Sequence, residues 1–312
     1  MEERRDVIII GAGAAGLSAA VYTGRALMST TVLEKLVVGG QIIEAYDVDN
    51  YPGFPNGIGG GELVEGMLAH ARKFEAELVN AGANDIAVEG PMKRVSTDQG
   101  DYVAPIVIIA SGATHRKLGA PGEKELSGKG VSYCATCDGP FFRGKSLVVV
   151  GGGDAAMTEA VFLSRFATDI KLVHRRQGFR ARAVHIEEAR KNPKIEFVLD
   201  TVVTEVQGNG KVSGVKTKNT QTGEGGNIPC EGVFVFIGHD PNTAFLKNLL
   251  PGYAGSVIPV DLNMETEVKG VYAIGDVRKG SYRQVGTAVG EAITAAMHAE
   301  VRIKDLVGEG AS

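Results

Sequence analysis

Tryptophan is missing from this chain of 312 residues, and aromatic residues make up only 6% of it. Stacking platforms for single-stranded nucleic acid are therefore not expected. There is no block of Lys or Arg, and the net charge is −4, from 33 Lys and Arg against 37 Asp and Glu. Neither nucleic acid nor an anionic membrane is an expected partner. No apolar run approaches the roughly 18 residues of a membrane helix. The first apolar stretch runs straight into glycines, so it reads as a strand and not as a signal peptide. The expected compartment is the reducing cytoplasm. There, three cysteines are too few for a disulfide scaffold, and a close pair points to redox chemistry or a metal.

Glycine is what the chain has in excess. It supplies 43 of the 312 residues, about twice the usual share of roughly 7%. No G-x-y period accompanies it, which excludes collagen. In a folded chain such an excess means tight turns and close backbone approaches to a ligand. With 44% hydrophobic and 22% charged residues, the chain can bury real cores. Its length predicts two domains.

Two strand–glycine–helix signatures locate part of the excess. The first is the apolar strand Asp6 to Ile10, then Gly11-Ala-Gly13-Ala14-Ala15-Gly16, then a predicted helix from Leu17 to Arg25. The second is the strand Ser146 to Val150, then Gly151-Gly-Gly153-Asp154-Ala155-Ala156, then a predicted helix from Met157 to Arg165. A continuous apolar strand is the mark of a buried parallel sheet. Its passage through such a turn into a helix is the fingerprint of a dinucleotide site. The glycines allow the turn and bring the backbone to a pyrophosphate at the helix start.

The two copies differ at the ribose position. Glu34 closes the next strand of the first copy, and His174-Arg175-Arg176 stands at the matching place in the second. A carboxylate accepts hydrogen bonds from ribose hydroxyls and repels a 2′-phosphate. Arginines attract that phosphate through forked, charge-assisted hydrogen bonds. The pattern predicts a nucleotide with a free ribose, such as FAD, on the first copy and NADPH on the second. A third run, Gly270 to Asp276, reads as a short strand ending in Gly275-Asp276. It is followed by a helix rich in small residues from Thr287 to about Glu300. Aimed at a flavin, such a helix would stabilise negative charge on the reduced ring.

Cys134-Ala-Thr-Cys137 precedes Asp138 and lies shortly before the second glycine motif. Two thiols at this spacing can close a disulfide and reopen by thiolate attack. Structural zinc takes four ligands, and only the distant Cys230 remains. No metal is expected, and Cys230 reads as structural. Asp138 can handle the proton of thiol–disulfide exchange or simply shape the turn before Gly139-Pro140. The cysteine pair travels with the NADPH motif, while the flavin belongs to the other. Nicotinamide and disulfide cannot easily reach one flavin together, so the reading includes a domain rotation that alternates them.

In this order, the flavin-type turn, Cys134 to Gly139, Gly151 to Ala156 and His174 to Ala181 resemble the low-molecular-weight, bacterial-type thioredoxin reductases. The likeness covers essentially the whole chain. It extends to Gly39-Gly40-Gln41, Glu44 to Gly53, Ala110 to Ala113, Phe236 to Thr243, and Gly275-Asp276 with Arg283-Gln284. It implies an α/β fold of two Rossmann-like, three-layer nucleotide-binding domains. A discontinuous FAD domain at 1–115 and 245–312 would be interrupted by an NADPH domain at 116–244. It also implies a cytoplasmic homodimer whose protein substrate is thioredoxin.

The resemblance assigns roles as well. Cys137 is the thiol facing the flavin, Cys134 the thiol that attacks thioredoxin, and Asp138 the acid–base group. FAD contacts fall on Gly11, Gly13, Ala14, Ala15, Gly16, Glu34, Lys35, Gly40, Gln41, Asn50, Ala110, Gly112, Gly275, Asp276, Arg283 and Gln284. NADPH contacts fall on Gly153, Asp154, Ala155, Ala156, His174, Arg175, Arg176 and Arg180. Ala155 and Thr158 depart from the family, which often has a hydroxyl residue and Glu there. Ala155 removes one possible contact near the pyrophosphate. Rival readings fit less well. A dithiol oxidase has no need of the arginines. A ferredoxin–NADP reductase lacks the cysteine pair, and a hydroperoxide-reductase flavin subunit carries a long N-terminal domain. A non-catalytic flavin sensor would show flavin that NADPH does not reduce.

Overall fold

Alternate residues of the strand Val7–Ile10 face opposite ways, and both faces are buried. Val7 and Ile9 pack into one core, Ile8 and Ile10 into another. The strand Ile106–Ile109 divides in the same manner, with Ile106 and Ile108 in the first core and Val107 and Ile109 in the second. This period of two in fully apolar strands requires a layer on each side of the sheet. The computed structural model describes residues 2–45 and 47–308. Met1, Tyr46 (within the stretch Glu44 to Gly53) and 309–312 lie outside it. The chain divides into two compact units. One joins the residues up to Thr114 to those from Asp240 onward, and the other is His115–His239.

The first unit is built on a parallel sheet of five strands. Their order is Val271–Ala273, Ile106–Ile109, Val7–Ile10, Thr30–Leu33 and Glu77–Val79. The helices Ala14–Arg25 and Val285–Gly308 contribute the first core over one face. Ala288, Ala292, Ala295 and Ala299 are buried there. Their spacing places them on one helical face. The small residues of the last helix thus have a packing reason, the close approach of helix Ala14–Arg25. A four-stranded sheet of Glu2–Arg4, Asp101–Ala104, Met92–Thr97 and Ala83–Glu89 forms the other layer, with Ile86, Val95 and Tyr102 in the second core.

The second unit repeats the plan. Its parallel sheet runs Val131–Ser132, Gly232–Phe236, Ser146–Gly151, Asp169–Val173 and Ile195–Val198. Leu147 and Val149 face the helices Asp154–Leu163 and Ala183–Lys191. Val148 and Val150 face a three-stranded antiparallel sheet of Thr201–Gly208, Val212–Asn219 and Gly225–Pro229. Both units are three-layer α/β structures of the Rossmann type, as the sequence predicts. In each, the helix after the glycine turn starts three residues sooner than the sequence reading places it, at Ala14 and Asp154. The back half of each motif is itself the first helical turn.

Candidate active site

Gly11 leaves the first strand with φ +105°, a conformation that only glycine adopts without strain. A Cβ on Gly11 would overlap the Ala110 carbonyl, and one on Gly16 would overlap the Gly11 carbonyl oxygen. A Cβ on Gly13 would meet nothing within 4 Å. Gly13 is the N-cap of helix Ala14–Arg25 and offers no side-chain cap, and the first turn holds no acid. The first amides of that helix therefore have no side-chain cap, which suits an anion. A Cβ on Gly40 (φ +57°) would lie 3.7 Å from the Gly13 Cα, so Gly40 borders this helix start. Glu34 is oriented beside it, accepting from the Ala12 N–H at 2.8 Å and the Leu36 N–H at 2.9 Å.

Other predicted residues converge on the same helix start. A Cβ on Gly275 (φ +71°) would sit 3.1 Å from the Ala15 Cβ. Burial pushes the carboxyl of the next residue, Asp276, upward, against the opposing charge of Arg283. Asn50 Nδ2 donates to Gln284 Oε1 at 3.2 Å, joining positions 234 residues apart. Gln41 Nε2 donates to the Ala113 carbonyl. Gly112 has φ +67° and accepts from the Asn242 N–H at 3.0 Å. Lys35 is exposed, and its stem runs along Gly82. An uncapped helix start, an oriented carboxylate and a ring of tight glycines fit the pyrophosphate and ribose of a dinucleotide such as FAD.

Glu291 supports this ring and was not read from the sequence. It is 8% exposed, accepts the Gly275 N–H at 2.8 Å and pairs with Arg278 at 2.5 Å. The available signal was a lone acid inside an Ala/Gly-rich helix face. A buried carboxylate must be paired, so such a residue has to hold something.

The second turn presents the same uncapped start with different chemistry. Gly153 is an uncapped N-cap, and a Cβ on it would meet nothing within 4 Å. Ala156 is buried and Ala155 is exposed on the first turn. Thr158 satisfies its hydroxyl on the Asp154 and Ala155 carbonyls of its own helix. The His174 ring lies over Gly152, where a Cβ would overlap it, and stacks on Phe179 with centroids 5.1 Å apart. Burial, aided by Arg176 and Arg175, pushes its pKa down. Arg175, Arg176 and Arg180 are exposed and form no ion pair among the described residues. Three unpaired guanidiniums beside a nucleotide turn suit the extra phosphate of NADPH.

Cys134 and Cys137 form a disulfide, with Cα atoms 5.3 Å apart, at the start of the short helix Ala135–Asp138. The Cys137 N–H donates to Cys134 Sγ at 3.1 Å. Once the bond is reduced, that donor favours the thiolate form of Cys134. Ser132 Oγ accepts the Cys134 N–H at 3.1 Å. Tyr133 donates its hydroxyl to Glu123, which is 4% exposed and also takes the Leu118 and Gly119 N–H groups. Ser132, Tyr133 and Glu123 pin the segment and were not read from the sequence. Asp138 donates its N–H to the Cys134 carbonyl at 3.1 Å. Gly139 lets the chain pass against Leu163 and Phe162. The redox turn thus packs on the helix whose opposite end carries the second glycine turn. Cys230 is 3% exposed, and burial pushes its thiol up to about 12, as suits a structural residue.

The family model described as pyridine nucleotide-disulphide oxidoreductase matches residues 5–292. The chain is 45% identical to a thioredoxin reductase of Bacillus subtilis over 98% of this chain and 96% of the relative. It is 45% identical to one of Streptomyces coelicolor over 96% and 94%. The chain belongs to the thioredoxin reductases of this family. Its backbone agrees. The solved thioredoxin reductase of Streptococcus pyogenes superposes with a TM-score of 0.92 at 40% identity, over 97% of this chain and 99% of that one. Thioredoxin reductases of this family use FAD and NADPH, and the two glycine turns supply residues that fit both. No helix among the described residues is long and apolar enough to cross a membrane.

Proposed function

We propose that the enzyme reduces the disulfide of a thioredoxin, with NADPH as the electron source, as a cytoplasmic homodimer. The observation that carries this reading is the Cys134–Cys137 disulfide set on the same unit as the arginine-bearing glycine turn. The first unit would hold FAD through Gly11, Gly13, Ala14, Ala15, Gly16, Glu34, Lys35, Gly40, Gln41, Asn50, Ala110, Gly112, Gly275, Asp276, Arg283 and Gln284. The second would hold NADPH through Gly153, Asp154, Ala155, Ala156, His174, Arg175, Arg176 and Arg180. Bound FAD supplies the passage of two electrons from the nicotinamide to the disulfide.

The protein's own residues then complete the exchange. Cys134, as thiolate, attacks one sulfur of the thioredoxin disulfide, and that S–S bond breaks as a mixed disulfide forms. Cys137 attacks Cys134 Sγ, which restores the enzyme disulfide and releases dithiol thioredoxin. Asp138 delivers a proton to the departing sulfur. Because the redox pair and the NADPH residues share one unit, the units must alternate between two arrangements during turnover, and a cross-link fixing them should stop it. The decisive test is an anaerobic titration of the flavin with NADPH, followed by an assay of thioredoxin reduction. Cys134→Ser should leave flavin reduction intact and abolish thioredoxin turnover. Turnover that survives the change would refute the assignment of the attacking thiol.

A further inference from the structure

The loop that bears the three unpaired guanidiniums is fastened to the second glycine turn by a fourth arginine. Arg182 is the N-cap of helix Ala183–Lys191. Its backbone N–H donates to Asp154 Oδ1 at 2.7 Å, and its Nε donates to Oδ2 at 3.1 Å. One terminal nitrogen donates to His185 Nε2 at 2.8 Å. A guanidinium has no acceptor, so this imidazole nitrogen must be the unprotonated one. A backbone bond from Arg180 N–H to the Gly152 carbonyl, 2.9 Å, closes the loop against the turn.

Asp154 is the first residue of the helix whose start would receive the nucleotide pyrophosphate. The Arg182 N–H, more than any other neighbour, holds its carboxyl below the usual range, so it is ionised at neutral pH. Asp154 would meet the pyrophosphate through its backbone N–H at the helix start, whereas its carboxylate, left bare, would repel the phosphates that this helix start attracts.

We propose that Arg182 is a positioning residue for NADPH: it neutralises the Asp154 carboxylate at the phosphate-binding turn while holding the 174–182 loop beside it. This inference rests on the assignment of NADPH to the second unit. A purely structural clamp makes a different prediction. If the Arg182 side chain only fastened the loop, its loss would loosen the loop beyond what the remaining backbone N–H bond to Asp154 holds, and removing the Asp154 charge as well would bring no recovery. If it neutralises Asp154, losing Arg182 alone is the worst case, and losing both charges together restores binding.

The test is a calorimetric titration of the FAD-loaded protein with NADP+, which binds without turnover. Arg182→Gln should weaken binding roughly fivefold at low salt, the scale of an exposed charge pair. Arg182→Lys should fall between it and the unaltered protein. Asp154→Asn should bind at least as tightly as the unaltered protein, and Asp154→Asn with Arg182→Gln should return to within about twofold of it. The Arg182→Gln deficit should shrink near 1 M salt, where screening acts over about 3 Å. An unchanged affinity in Arg182→Gln would overturn the inference. So would a double variant as weak as the single one, or a loss in Asp154→Asn. Absence of NADP+ binding in the unaltered protein would instead overturn the nucleotide assignment beneath it.

Discussion

The two glycine turns sit at the same place in two units of the same architecture, yet they are built to different tolerances. The first ends in Gly16, where a methyl group would overlap the Gly11 carbonyl oxygen. The second ends in Ala156, and that methyl is buried without conflict. Gly11 requires a positive φ, whereas Gly151 does not. Both turns leave their strand packed on backbone, Gly11 on the Ala110 carbonyl and Gly151 on the Phe236 carbonyl, and the second also carries a side chain, His174 over Gly152. The difference lies at the helix start. One that meets backbone at Gly16 has no slack, whereas one that accommodates the Ala156 methyl has some. The contrast suits one cofactor held throughout the cycle and one nucleotide that must come and go.

Exchanging the residues at the two helix starts would break the comparison most severely. Gly16→Ala forces backbone atoms apart, at a cost of about 3 kcal/mol or more. The expected result is protein with little bound flavin and a lowered Tm, read by absorbance and thermal unfolding. Ala156→Gly loses a buried methyl and some helix propensity, about 1.5 kcal/mol in all. It should keep flavin and bind NADP+ nearly as well. Similar losses in both would mean the two turns are equally rigid.

The ribose positions sharpen the contrast at the next level. Changing Arg175 and Arg176 together to Gln should weaken NADP+ by roughly a hundredfold or more, because each of the two charge-assisted bonds is worth about 1.5–3 kcal/mol. NAD+, which lacks the 2′-phosphate, should change little in the same calorimetric titration. Equal losses for both nucleotides would remove the basis for distinguishing the turns by their ribose chemistry.

What the sequence made legible follows the same division. The turns were readable because strand, glycines and helix are consecutive, and His174 and Glu34 follow at a fixed spacing. The antiparallel layers, Ala83–Ala104 and Thr201–Pro229, were not read. Strands such as Val212–Asn219 bury one face only, and their pairing with distant segments leaves a weak period. Glu291 and Glu123 escaped for a related reason. Their meaning lies in the N–H groups they accept, from Gly275 and from Leu118 and Gly119, and a backbone donor has no signature of its own in sequence. The helix starts were misplaced by three residues because an alanine within a glycine motif looks like loop until its first turn is seen packed.

The antiparallel layer of the first unit holds a feature that allows a smaller test. Lys93 is 1% exposed, donates to the Pro105 carbonyl at 2.8 Å and the Pro91 carbonyl at 3.2 Å, and is pushed down to about 8 by burial. Its folded pKa lies below its unfolded value, so between about pH 8 and 10 the unfolded chain binds more protons. Stability should therefore rise with pH across that window, by on the order of 1–2 kcal/mol. Lys93→Met should lose this rise, measured as the difference in denaturant midpoint between the two proteins. A parallel pH profile would show that the lysine finds more solvation in the fold than its burial suggests.

The second unit offers the mildest perturbation, through its third cysteine. Cys134 and Cys137 are partly exposed, whereas Cys230 lies in the core beside Val215 and Val233. A thiol pushed up to about 12 supplies almost no thiolate at neutral pH, and burial also denies it access to reagents. After reduction, an aromatic disulfide reagent should titrate two thiols quickly in the folded protein and the third only on unfolding. Cys230→Ala should cost about 1 kcal/mol, the value of one small buried group, and leave turnover unchanged. A third thiol that reacts in the folded protein would mean that this core opens more readily than its packing indicates. The tolerance seen at the second turn would then extend through the whole unit rather than belonging to the nucleotide site.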